Sequence, residues 1–180
     1  DWVIGAHGDG VVALGLGGYE VGNSPEKFAA AIRRARQAGV PCVLHAGETE
    51  GPASIWGALE AGYSQRIGHG VRCLEDKRLV RHLYERQMLL EVCPTSNVCL
   101  GVAPSLAGHM LPKLMEAGLN DDPPMFNTTL TEEFRRCAAS FGWGREILER
   151  LTLNAAAGAL LPAGEKAALE TAVRTGFARL

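Results

Sequence analysis

The stretch PCVLHAGETEGPASIWGALEAG (residues 41–62) runs from a short apolar segment through a turn of small residues into a second segment of different period. PCVLHAG (41–47) is too short for a helix and reads as an apolar strand. GPASIWGALEAG (51–62) reads as a helix with small residues on one face and Trp56 and Leu59 on another. That is one βα unit, and the fold depends on whether it repeats.

It repeats in both directions. Upstream, VVALGL (11–16) reads as a buried strand, and SPEKFAAAIRRARQAG (24–39) as a helix with Ser24 as N-cap, Pro25 at its first position and Gly39 as its stop. Downstream, QRIGHG (65–70) is a third strand, EDKRLVRHLYERQ (75–87) an amphipathic helix capped near Asp76, and MLLEVCP (88–94) a fourth strand ended by proline. Beyond that the pattern loosens. CPTSNVCLGVAPSLAGH (93–109) reads as a long loop and MLPKLMEAG (110–118) as a short helix. TLTEEFRRCAASFG (129–142) is a helix opened by the capping box of Thr129 and Glu132, and two more helices start at Arg145 and Pro162. Every strand is followed by a helix and none reads as a hairpin partner. The expected fold is therefore α/β, one domain over residues 1–180, with a parallel sheet and right-handed crossovers, either open or closed into a barrel.

Composition narrows the class of function. With 180 residues, 47% of them hydrophobic and 21% charged, the chain has material for one globular core. A net charge of -2, with no basic stripe, argues against nucleic acid and membrane surfaces and for small ligands. The opening DWVIGAHGDG lacks the basic and apolar regions of a signal peptide, and no apolar run is long enough to cross a bilayer, so the expected location is cytoplasmic. The five cysteines (42, 73, 93, 99 and 137) are irregularly spaced and read as thiols rather than a disulfide framework.

In parallel α/β folds ligands gather at the carboxyl ends of the strands. Those ends here read GLGGYE, HAGE, GHG and CPTSN, with NDDPP after the following helix. A glycine, histidine, acid or small polar group at each edge points to one shared site. His45 and Glu48 are three apart across small residues, which suits a metal ligand beside a proton carrier. A buried histidine followed by a helix-capping glutamate is the ordinary alternative. His69 lies between two glycines, which admit close approach of a ligand but also punctuate strand ends. Asp121 and Asp122 form either a turn or a pair held by a cation; zinc accepts both imidazole nitrogen and carboxylate oxygen and would relieve their repulsion.

Other patterns carry less. GLGGYEVG (15–22) places Glu20 where a dinucleotide loop needs its third glycine, and an acid there would repel pyrophosphate. Cys93 and Cys99 read as packing residues, and His7, His82 and His109 as surface residues. Ser96 and Ser105 lack a nucleophile-elbow setting.

VLHAGE (43–48), RIGHG (66–70), EVCPTSN (91–97) and DDPPMF (121–126), in this order and spacing, resemble the second half of an adenosine deaminase family protein, and LNAA (153–156) resembles its C-terminal end. The resemblance runs over nearly the whole chain. It implies a (β/α)8 TIM barrel of the metal-dependent hydrolase type with one zinc ion, which activates water for attack on C6 of a purine so that ammonia leaves. It implies His45 and Asp121 as zinc ligands, Glu48 as the acid that protonates the ring nitrogen beside the attacked carbon, and His69 as the group that orients or deprotonates the water. Asp122 would bond the imidazole side of the purine, and the Gly18 backbone the opposite ring edge. The implied partner is an aminopurine nucleoside, adenosine first.

Two departures qualify that expectation. The family takes two further zinc ligands from an H-x-H at its first barrel strand, and none occurs in these 180 residues. The four strands match the family's fourth to seventh, so the chain reads as an incomplete barrel, its first three strands lost or never included. Leu119 also meets Asn-Asp-Asp directly, where the family has a short apolar strand, so the eighth strand reads as missing. Tyr19, where many relatives have Asp, touches the substrate end and leaves adenine or aminodeoxyfutalosine as alternatives; a catalytically inactive half-barrel remnant is another.

Overall fold

A computed structural model describes residues 1–121 and 129–179, except for the side chains of Asn120 and Asp121. After a short helix α1 (Trp2–Ala6), five strands form one parallel sheet in chain order: β1 (Leu14–Leu16), β2 (Cys42–Ala46), β3 (Arg66–His69), β4 (Leu89–Glu91) and β5 (Asn120–Asp121). Sequential order in a parallel sheet, each strand followed by helix, is the arrangement of a TIM-type barrel, here an incomplete one.

Registers align the strands so that Leu16, Leu44, Ile67 and Leu90 form one row across β1 to β4. Leu44, Ile67 and Leu90 are fully buried, and with Ile32, Ile55, Leu79, Leu83, Leu111 and Leu114 they make the core between the sheet and its helices. Those helices include α2 (Ala29–Gln37), α3 (Pro52–Glu60), α4 (Lys77–Glu85) and α6 (Leu111–Glu116). Each starts for a local reason. Pro52 opens α3 where a missing N–H costs nothing, and the Asp76 side chain accepts the Arg78 N–H at 2.8 Å as the cap of α4. Asp76 also accepts the indole N–H of Trp56 at 3.0 Å, which ties α3 to α4.

The opposite sheet face is not a dry core. Val43 and His45 alternate with the buried residues of β2, and Arg66 pairs with Glu91 at 3.0 Å across neighbouring strands. This face, with Gly15, Gly68, His69 and Cys93, lines a groove of about 430 Å³.

Three expectations change. The chain from Pro94 is not all loop: Pro94–Cys99 forms helix α5, opened by proline at its first turn. The first strand is only three residues long, starting at Leu14. The final strand of the sheet is present, because Asn120 and Asp121 themselves pair with Leu89 and Leu90 of β4. Its pairing comes from the free edge of β4, not from an apolar run, so it leaves no strand-like pattern in the sequence. The remaining helices are α7 (Leu130–Phe141), α8 (Arg145–Gly158) and α9 (Ala163–Ala178). Among the described residues no helix is long and apolar enough to cross a membrane.

Candidate active site

β2 delivers His45 to the carboxyl end of the sheet, and the turn after it carries Glu48. β3 ends at His69. The ligand atoms of His45, Glu48 and His69 lie within 4.8 Å of one another. Glu48 Oε2 stands 3.6 Å from His45 Nε2, and Glu48 Oε1 3.2 Å from His69 Nδ1; the two imidazoles meet edge-on at 4.6 Å between centroids. Two imidazoles and a carboxylate are nitrogen and oxygen donors that suit a divalent cation of the zinc type, so the residues fit such an ion.

The backbone around His69 explains how β2 and β3 come so close. Gly68 lies beside His45, and a Cβ there would stand 3.0 Å from the His45 Cα. His69 itself is left-handed at φ 65°, followed by Gly70 at φ 67°. A non-glycine residue in that region costs about 1 kcal/mol or more. The Gly70 N–H to Ala46 carbonyl bond and the Arg72 N–H to Gly47 carbonyl bond, both 3.0 Å, hold it there.

Glu48 is buried at 3% exposure, and burial foremost pushes its carboxyl above the ordinary carboxylate range, against the positive influence of His45 and donors from Asn97 and Ser96. It does not cap α3, whose N-cap is Gly51. Burial, then the neighbouring His45, lowers His69 to about 4, so its imidazole is neutral at pH 7.

Four groups that sequence reasoning discounted or passed over complete the site. Glu20 was legible only as a flaw in a glycine loop, yet it is buried and its carboxylate accepts the backbone N–H groups of Gly47, Glu48 (3.1 Å), Thr49 (2.7 Å) and Glu50 (3.0 Å), plus the hydroxyls of Thr49 and Ser54. Burial is the largest influence on it and raises its pKa, but these donors together bring it below the ordinary value. Asn97, fully buried on α5, donates to Glu48 Oε1 at 2.7 Å and lies 3.3 Å from His69 Nδ1; Ser96 Oγ lies 3.4 Å from the same carboxylate oxygen. His109 is not a surface residue: it is 4% exposed, with Nε2 at 3.0 Å from Asn97 Oδ1. His7 is exposed as expected, and His82 is half-buried against Trp56. Cys93 is buried, but Cys99 is exposed and does not pack as expected. A lone acid after two glycines at a strand end, and a polar Thr-Ser-Asn run behind a strand-ending proline, were the signals available for Glu20 and Asn97.

Gly18, with Leu16, Gly17, Tyr19, Asn23, Phe28 and His45, lines a second hollow of about 220 Å³ at the same end of the sheet. The Asp121 backbone pairs with Leu90, one row short of His45 and Gly68. Asp122 lies outside the described residues.

The family model described as "Adenosine deaminase" matches residues 3–175. The chain is 38% identical over 172 residues to the aminodeoxyfutalosine deaminase of Streptomyces coelicolor, covering 93% of this chain and 44% of that protein. It is 40% identical over 175 residues to the adenine deaminase of Chelativorans sp., covering 94% and 52%. Among solved structures, an amidohydrolase from Burkholderia ambifaria with bound Zn superposes with a TM-score of 0.88 at 27% identity, over 99% of this chain and 52% of that one. The chain thus spans about half the length of the proteins it matches.

Proposed function

The chain belongs to the adenosine deaminase family, and from that premise we propose that the full-length protein catalyses hydrolytic deamination of a 6-aminopurine, adenosine being the first substrate to test. The observation that carries this reading is the convergence of His45, Glu48 and His69 at the strand ends, with Glu48 buried and its proton held more tightly than an ordinary carboxyl holds it.

An amino group on an aromatic ring becomes a leaving group only when protonation of the neighbouring ring nitrogen breaks the conjugation. Glu48 supplies that proton: its raised pKa keeps the acid form populated closer to neutral pH, and Asn97 and Ser96 fix the carboxyl on one oxygen. His69, neutral at pH 7, accepts a hydrogen bond from the attacking water. Its low proton affinity makes orienting that water its main task. His45 and Asp121 would hold a zinc ion together with ligands from outside these residues, and such an ion would lower the pKa of water from 15.7 to about 7, so that hydroxide would be available at neutral pH. The Gly18 backbone and Asp122 hold opposite edges of the purine. The relatives' names put adenine and aminodeoxyfutalosine beside adenosine, and Tyr19, largely exposed and lining the Gly18 hollow, is the residue of this reading that would meet a substituent on the purine.

Ammonia release by the metal-loaded full-length protein, offered adenosine, adenine and aminodeoxyfutalosine, tests the proposal. Turnover of at least one is expected, with Glu48→Gln slower by about 100- to 10,000-fold at unchanged metal content. A loaded protein that releases ammonia from none of them would instead be a remnant of the fold without its chemistry.

A further inference from the structure

A chain of hydrogen bonds leads from a backbone amide to the Glu48 carboxylate, and each link fixes the direction of the next. The Leu111 N–H donates to His109 Nδ1 at 3.0 Å. A backbone amide only donates, so Nδ1 carries no proton and a neutral His109 bears its hydrogen on Nε2. Nε2 lies 3.0 Å from Asn97 Oδ1, which therefore accepts. With its oxygen committed to His109, the Asn97 carboxamide turns its NH2 to Glu48 Oε1 at 2.7 Å and His69 Nδ1 at 3.3 Å. Asn97 is 0% exposed, so bulk solvent does not compete for either partner. Rotated by half a turn, the carboxamide would set its oxygen against the carboxylate and its NH2 against the His109 N–H, two unfavourable contacts in a buried place.

We propose that His109 is a positioning residue: its Nε2–H locks the orientation of the Asn97 carboxamide, which in turn fixes Glu48 and presents a donor toward His69. His109 touches neither His45 nor the hollow beside Gly18 among the described contacts, so it acts through Asn97 alone. Burial lowers the His109 pKa to about 4, which keeps the imidazole neutral at working pH, in keeping with the bond directions. The assignment of Glu48 as the acid rests on the deaminase reading, whereas the orientation of Asn97 does not.

Two measurements separate those layers. In the full-length protein labelled with 15N-histidine, two-bond proton–nitrogen NMR correlations at about pH 7 should show His109 as a single Nε2–H tautomer, and an Nδ1–H tautomer would overturn the relay whatever the enzyme turns over. His109→Phe removes the donor, and His109→Gln returns an N–H near the Nε2 position. The Asn97 side-chain NH2 should exchange at least about tenfold faster in the Phe variant and stay protected in the Gln variant. kcat should fall about 10- to 100-fold in Phe, with KM within about threefold, and recover mostly in Gln at equal zinc content. Equal exchange or equal kcat in the two variants, whether both intact or both impaired, refutes the positioning role. If the parent protein deaminates nothing while the tautomer and exchange results hold, the deaminase reading fails and the relay stands.

Discussion

Glu20 Oε2 accepts the backbone N–H of Thr49 at 2.7 Å and that of Glu50 at 3.0 Å, so an acid just past the first strand of the sheet holds the turn that follows the second. Two elements that meet only through the sheet are thus clamped at the point where Glu48 leaves the backbone. The carboxylate also lies 3.9 Å from His45 Nε2.

Glu20→Gln tests that clamp. The amide keeps one acceptor oxygen but turns an NH2 toward backbone N–H groups that have nowhere else to donate. Charge-assisted bonds of this kind contribute about 1.5 to 3 kcal/mol, and urea unfolding should show a loss of that order. Activity should fall by about 10- to 100-fold because the Glu48 turn loosens. A variant as stable and active as its parent would show that the turn holds its shape unaided.

A second clamp acts on α5. Glu133 of α7, wholly buried, accepts both the backbone N–H of Thr95 at 2.7 Å and the Thr95 hydroxyl. Thr95 is in the first turn of α5, where the N–H has no partner within the helix, and the helix carries Ser96 and Asn97. Glu133→Ala leaves the Thr95 N–H unsatisfied and opens a space behind it. A destabilisation of about 2 to 4 kcal/mol is expected, with faster amide exchange at Thr95 and its neighbours. Unchanged exchange there would mean that α5 is held by its own proline start.

These clamps show which features sequence reading reaches. β2 and β4 were legible as short apolar runs bounded by turn residues and β3 as a short segment between two helical ones, and His45, Glu48 and His69 stood out because they sit at or just past the ends of β2 and β3. β5 was not, since two polar residues carry no period and form a strand only against β4. α5 read as loop because its Thr, Ser and Asn favour turns locally, while the Glu133 carboxylate that secures its start lies 38 residues away. His109 looked exposed between Gly108 and Met110 because its partner Asn97 belongs to another element. Local chemistry announced the reacting groups; the groups that hold them have remote partners and left little local trace.

His45→Ala should lose the metal. Its Nε2 lies 3.6 Å from Glu48 Oε2 and 3.9 Å from Glu20 Oε2, and removing it takes away the nitrogen donor between those two carboxylates. Zinc per chain, measured after gel filtration, should fall at least about tenfold, with melting of the protein no longer raised by added zinc. Full zinc content in the variant would place the ion elsewhere.

Acid should weaken the fold through the buried histidines, and His109 isolates the effect. Its folded pKa is about 4, below an unfolded value of about 6.5, so between these limits the unfolded chain binds the extra proton. Its contribution is therefore fully present above about pH 6.5, falls as pH drops toward 4, and is constant below that. His69, also lowered to about 4, acts in the same sense, and so does Glu20 at lower pH, whereas the raised pKa of Glu48 acts in the opposite one. Comparing the parent with His109→Gln cancels those common contributions. Urea unfolding free energies measured from about pH 7 down to about pH 4 should fall less steeply in the variant, by up to about 1.4 kcal/mol per pH unit. Parallel curves would mean that His109 titrates in the folded protein as it does in the unfolded chain, which its buried bonds to Asn97 and the Leu111 amide do not allow.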